Sequence, residues 1–334
     1  MFTVVIPLFE KRAYLQRALD SVYAQAIEPA VVPEIVVVND GSTDGGDAVA
    51  RAQADPRVRV IDQPNRGVSA ARNAGIAAAG QPFVAFLDAD DRWRPEFLAR
   101  MRDLIARHPG GALYGSGFVT LRDGREASRH GALPREIGGD PTCGGPVDSF
   151  ASRARDTVFN SSSIVVPKAA ALEVGGFPDG VAHGEDHMFW DRLALHGPVV
   201  LSPEPLAEYD TSVPGQAIEF WNGDYRRRFE ILAHHRFLAD ELRRRATSGA
   251  GPASFIGHAR RHLRTAVLQR FYWGNFVAVD RLWRELRLDG LGLGAAAAMA
   301  AWVARRRVVQ PLAGAALGVI RGVRSFTRPA TRPS

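Results

Sequence analysis

Asp88, Asp90 and Asp91 place three carboxylates within four positions, directly after the apolar run Phe83-Val84-Ala85-Phe86-Leu87. Carboxylates crowded in this way are costly unless a positive charge sits among them. On an extended backbone Asp88 and Asp90, two residues apart, share one face. That spacing can hold a divalent cation beside substrate phosphates. The plain alternative is a solvated acidic turn. Asp40 stands in a second such position, after the run Ile35-Val36-Val37-Val38 and inside Asn39-Asp40-Gly41-Ser42-Thr43-Asp44-Gly45, where its carboxylate can accept hydrogen bonds from a base or ribose or cap the following helix. Arg72 lies in an otherwise apolar, alanine-rich stretch, so its guanidinium must find solvent, a surface carboxylate or an anion. Glu185 and Asp186 open a further apolar-periodic segment. Acidic residues in a first helical turn are favoured by the helix dipole, which explains them without any chemistry.

The elements that must position these residues are legible from periodicity. Residues 1–7, 35–38, 58–61 and 83–88 read as buried strands, and residues 10–26, 48–54 and 68–79 as the helices between them. Strands alternating with helices predict a mainly parallel sheet flanked by helices, with ligands at the strands' carboxyl ends. Pro7, Asp40 and Asp88 all fall at such ends. A helix over 96–106 and strands over 112–120 and 159–166 follow. Trp93 is expected to pack. Residues 121–146, rich in glycine, proline and charge, read as a long acceptor-side loop. Asn160 with Ser161 to Ser163 reads as a capped turn or as part of an acceptor site, and His183 and His187 as surface or capping histidines.

Five blocks occur in order: Ile6-Pro7; Val38-Asn39-Asp40-Gly41-Ser42-Thr43-Asp44; Gly67-Val68-Ser69-Ala70-Ala71-Arg72-Asn73-Ala74-Gly75; Phe86-Leu87-Asp88-Ala89-Asp90-Asp91-Arg92-Trp93; and Gly175-Gly176-Phe177 with Gly184-Glu185-Asp186-His187-Met188-Phe189-Trp190-Asp191-Arg192-Leu193. Together they resemble the family 2 glycosyltransferases of the GT-A fold, across roughly residues 1–210. The resemblance implies an inverting transfer of a sugar from a nucleotide-diphosphate donor to a hydroxyl of a glycan or lipid-linked acceptor. It implies donor contacts at Pro7, Asp40, Arg72 and Asp88, a metal (Mg²⁺ or Mn²⁺) on Asp88 and Asp90, and the general base in the Glu185-Asp186 pair, on Asp186. Gly67 and Gly75 are read as turn geometry and close packing. Two other enzyme classes fit less well. Aspartate-nucleophile phosphatases share Asp-x-Asp after an apolar strand but continue differently from Asp91-Arg92. Nucleotidyltransferases need a glycine-rich basic loop where this chain has Leu8-Phe9-Glu10-Lys11. A non-catalytic nucleotide- or glycan-binding module is the third alternative.

The 334 residues predict a catalytic domain over 1–215 and a basic helical extension over 216–334. The single cysteine, Cys143, excludes an intramolecular disulfide and a cysteine zinc cluster, which suits a reducing compartment. No signal peptide or membrane span is expected, since the apolar stretch 291–304 is short and interrupted by Gly292 and Gly294. Residues 1–220 carry 21 Lys+Arg against 29 Asp+Glu, a net of −8, and residues 221–334 carry 21 against 7, a net of +14. So basic a tail suggests an anionic partner, and a cytoplasmic protein peripheral on the inner face of the cell membrane is expected. No nucleic-acid motif accompanies the charge, so nucleic acid is not an expected partner. Helices are expected over 216–245 and 252–288, the second with a stripe of Phe255, Leu263, Val267, Phe271, Val277, Leu282 and Leu286.

Overall fold

Strand β1 (Phe2–Leu8) is buried at every position, as an apolar run without a polar face must be, and extends one residue past Pro7. The protein is described from a computed structural model over residues 1–26, 33–131, 133, 140, 142–153, 158–181, 183–214, 233–248, 252–272 and 276–305. It divides into two compact units, Met1–Glu219 and Phe220–Ser334.

In the first unit β1 pairs in parallel with β2 (Glu34–Asn39) on one side and β4 (Phe83–Phe86) on the other, and β2 pairs in parallel with β3 (Val58–Asp62). The connecting helices are α1 (Arg12–Tyr23), α2 (Gly46–Arg51) and α3 (Val68–Ala78). Beyond β4 the sheet becomes mixed. β9 (Ile164–Pro167) runs antiparallel to both β4 and β6 (Leu113–Arg122), and β10 (Val199–Asp210) is parallel to β6. Among the described residues the sheet has ten strands, in the order β3-β2-β1-β4-β9-β6-β10 and then β5 (Arg92–Trp93), with β7 (Arg125–His130) on β6 and β8 (Gly145–Val147) on β10.

Alternation along the strands builds two apolar layers. Phe2, Val4, Ile6 and Leu8 pack with Leu15, Leu19 and Val22 of α1 and with Phe97, Met101 and Leu104 of α4 (Phe97–Arg107). Val5, Val84 and Phe86 face the other way, onto Ile76 of α3 and onto Phe189, Trp190 and Leu193 of α7 (Glu185–His196), which follows the short helices α5 (Ser149–Ser152) and α6 (Lys168–Glu173).

Three expectations change. The strand expected over 83–88 ends at Phe86, and the Asp91 N–H donates to the Asp88 carbonyl at 3.0 Å, so the aspartates sit on a turn and not on an extended backbone. The expected loop 121–146 contains β7 and β8. Asp123 and Gly124 turn back with positive φ, and β7 was hidden because this edge strand is almost wholly exposed and polar. Residues 132, 134–139 and 141 of that loop lie outside the described residues.

In the second unit Ala233–Ser248, Ala253–Tyr272, Phe276–Glu285 and Ala295–Arg305 are helical. Val277, expected in the apolar stripe, is 75% exposed. The helix from Phe276 has its own register, with Val279, Leu282 and Trp283 buried, and Leu286 is buried just past its end. Of the helix expected over 216–245, residues 216–232 lie outside the described residues, as does the segment from 306 onward. No described helix is long and apolar enough to cross a membrane.

Candidate active site

The carboxyl ends of β1, β2 and β4, the starts of α3 and α7, and Tyr209 of β10 enclose a cleft of about 440 Å³. Pro7, Asp40, Arg72, Asp88, Asp90 and Glu185 all line it. Residues as far apart in sequence as Pro7 and Tyr209 thus meet: β1 is central, its neighbours β2 and β4 end on the same side, and α3 and α7 bring Arg72 and Glu185 to that end.

Asp40 is 2% exposed. Its Oδ1 accepts from Gln63 Nε2 at 2.7 Å and from the Arg66 N–H at 2.9 Å, and its Oδ2 accepts from the Gly67 N–H at 2.8 Å. The carboxylate therefore pins the chain entering α3 beneath the cleft, and Oδ2 retains acceptor capacity.

Arg72 is 3% exposed and is held from several directions. Its Nη2 donates to both oxygens of Asp88, at 2.8 and 3.1 Å, while Nη1 lies 3.5 Å from Glu185 Oε1. The guanidinium also lies 5.1 Å from the centre of the Phe177 ring. Nearby charges of Asp88, Glu185 and Asp186 raise its pKa against the opposing effect of burial. One turn on, Gly75 lets α3 approach β1, since a Cβ there would sit 2.2 Å from Val5 Cγ1. Asn73 exchanges hydrogen bonds with the backbone of Phe177, both at 2.8 Å, and Gly176 (φ +66°) leaves room for the Asn73 amide. Gly175-Gly176-Phe177 thus acts as a buttress behind Arg72, with Phe177 stacked on Phe189 at 4.0 Å.

The aspartate turn is pinned from behind by Ser162. Its hydroxyl accepts from the Asp88 N–H at 3.0 Å and donates to Asp91, and its carbonyl accepts from the Trp93 indole at 2.6 Å. Asp91 is accordingly buried, away from the cleft. Desolvation, and then the charges of Asp90 and Asp88, push its pKa well up. Ser161–Ser163 forms a capped turn, the Ser163 hydroxyl accepting from the Asn160 N–H at 2.8 Å and the Ser163 N–H donating to the Asn160 carbonyl at 3.1 Å. Trp93 stacks on Phe97 at 4.4 Å.

Glu185 is the first residue of α7, and burial, followed by the charge of Asp186, raises its pKa to about 7 despite Arg72. Asp186 is half-buried beside it, its Oδ1 accepting from the His187 N–H at 2.7 Å, and it does not line the cleft as Glu185 does. His187 packs against Trp190, with ring centres 5.0 Å apart.

Sequence reasoning missed Lys11 and Tyr209. Lys11 Nζ lies 3.2 Å from Asp90 Oδ2 and donates to the Pro214 carbonyl at 2.7 Å. Tyr209 lines the cleft from β10, and burial raises its pKa. A signal for Lys11 existed: it is one of two lysines in a chain with 40 arginines. Tyr209 gave none, being one aromatic in a half-polar strand.

The donor set suits a hard divalent cation, because Asp88 and Asp90 offer carboxylate oxygens and the ammonium on Asp90 shows that the position favours positive charge.

The model of glycosyl transferase family 2 matches residues 3–162. This part of the chain is a family 2 glycosyltransferase domain. An uncharacterised glycosyltransferase of Nostoc sp. is 44% identical over 106 residues, covering 31% of this chain and 32% of that protein. The succinoglycan biosynthesis protein ExoO of Rhizobium meliloti is 44% identical over 100 residues, 30% of this chain and 28% of its own. These matches thus span about a third of the curated relatives. Among solved structures, S. aureus TarS 1-349 in complex with UDP-GlcNAc superposes with a TM-score of 0.63 at 19% identity, covering 86% of this chain and 80% of that one. That likeness shows a shared GT-A fold, and the matched residues 3–162 hold the first four of the five sequence blocks.

Proposed function

We propose that this protein transfers a sugar from a nucleotide-diphosphate donor to a hydroxyl of a glycan or lipid-linked acceptor, inverting the anomeric carbon in one displacement. The observation that carries this reading is the convergence of Asp40, Arg72, Asp88, Asp90 and Glu185 on one cleft of a family 2 domain. The UDP-GlcNAc in the S. aureus structure supports a nucleotide-sugar as the donor class.

In this reading Pro7 and Asp40 meet the nucleoside, and Arg72, fixed by Phe177 and Asn73, orients Asp88 at the diphosphate. Mg²⁺ or Mn²⁺ held by Asp88 and Asp90 would neutralise charge developing on the leaving diphosphate. The acceptor oxygen bonds to the anomeric carbon as the bond to the diphosphate oxygen breaks, and that electron pair leaves with the nucleoside diphosphate. The acceptor's proton passes to Asp186. Glu185, turned to Arg72, belongs to the donor side, which leaves Asp186 for the acceptor. The net +14 of residues 221–334 supports action at an anionic membrane surface, from the cytoplasmic side.

Release of nucleoside diphosphate from a panel of nucleotide-sugars, assayed with and without Mn²⁺, tests the reading. One donor class should turn over slowly without acceptor and faster with a glycan acceptor pool. Binding of a nucleotide-sugar with no turnover under any acceptor would favour a non-catalytic module, and release of pyrophosphate would favour a nucleotidyltransferase.

A further inference from the structure

We propose that Lys11 is a tethered counter-ion of Asp90 that a divalent cation must displace, so that metal and donor enter the cleft together. The inference rests on the reading of Asp88 and Asp90 as the metal-binding pair. Lys11 is half of an internal neutralisation. Its ammonium is 3.2 Å from Asp90 Oδ2, with side-chain exposures of 15% and 10%, while Arg72 takes both oxygens of Asp88. A divalent cation that takes Asp90 leaves the Lys11 ammonium without that carboxylate, and a nucleotide-sugar arriving with the metal offers the displaced ammonium the negative charge of its diphosphate.

The two cations differ in their freedom to move. Arg72 is fully buried, forked onto Asp88 and packed on Phe177. Lys11 is a compact charge on a flexible stem, held by a carboxylate and the Pro214 carbonyl. Those are two oxygen ligands of the kind a hard cation takes, so the ammonium stands where a metal would compete for Asp90. The choice of residue points the same way. With arginine used 40 times and lysine twice, the cation on Asp90 is one of the two lysines. Displaced from Asp90, Lys11 remains at the cleft wall and faces the diphosphate.

The test is titration of Mn²⁺ alone into the full-length protein, with free Mn²⁺ followed by electron paramagnetic resonance, for wild type, Lys11→Gln, Lys11→Arg and Asp90→Asn. Lys11→Gln should bind Mn²⁺ about tenfold more tightly than wild type, the direction expected when a competing charge is removed from a partly screened carboxylate. Lys11→Arg should stay near wild type. UDP, as the diphosphate probe, should raise Mn²⁺ affinity more in wild type than in Lys11→Gln. Thermal unfolding verifies that each variant folds. Equal or weaker Mn²⁺ binding by Lys11→Gln overturns the proposal. If Asp90→Asn binds Mn²⁺ as wild type does, the metal assignment itself is wrong; if Asp90→Asn loses binding while Lys11→Gln leaves it unchanged, the failure is confined to Lys11.

Discussion

Glu185 and Asp186 are adjacent in sequence yet face different work. Glu185 lines the cleft with its oxygen 3.5 Å from Arg72, whereas Asp186 sits beside it, away from the cleft lining. Asp186→Asn keeps the size of the side chain and removes the basic oxygen. It should lower transfer by ~10²–10⁴ with donor affinity preserved, and Glu185→Gln should cost less. Near-normal transfer by Asp186→Asn with a dead Glu185→Gln would reverse the assignment. Glu185 also predicts a pH dependence of stability. Its pKa is raised to about 7 by burial, from an ordinary value of 4.5, so the folded protein keeps a proton that the unfolded chain releases in between. That contribution is fully present below pH 4.5 and is lost as pH rises through 7. Relative to Glu185→Gln, the wild type should lose about 2–3 kcal/mol of urea-unfolding stability between pH 5 and 8. A constant difference between the two proteins over that range would contradict the burial argument.

At the scale of elements, the site depends on how closely α3 lies on β1. Gly75→Ala puts a Cβ where Val5 Cγ1 already sits, so it should destabilise the domain by about 1–3 kcal/mol. It should also weaken donor binding by shifting Arg72, one turn away. Val5→Ala in the same chain should recover part of both losses, and a double variant no better than Gly75→Ala would show that the clash lies elsewhere. The strands and helices up to Asp88 were legible because their apolar spacing is unbroken and the residues at their ends are distinctive. The aspartate turn was not, since alternation of Asp88 and Asp90 reads equally as extended chain. What bends it is a contact 74 positions away, from the Asp88 N–H to Ser162. The same holds for Lys11, whose partner Asp90 is remote in sequence, and for β7, which has polar residues on both faces and owes its existence to pairing with β6. Local pattern reports which face is apolar; it carries little about ion pairs or edge strands.

For the whole molecule the charge asymmetry is the feature that sequence alone exposes and the fold leaves intact. The +14 of residues 221–334 predicts that the full chain sediments with vesicles containing anionic lipid and is released as salt rises, because exposed charges are screened over ~10 Å at 0.1 M. Equal binding to neutral and anionic vesicles would contradict an electrostatic origin. Whether Asp88 and Asp90 join donor to metal in the β1–β4 cleft is decided by the thermal shift that nucleoside diphosphates give with and without Mn²⁺. Wild type should be stabilised by one of them in the presence of Mn²⁺, by about 2.7 kcal/mol at a hundredfold excess over Kd. Asp88→Asn/Asp90→Asn should fold and show no such Mn²⁺-dependent shift; a double variant that retains the full shift would place the donor's metal site elsewhere.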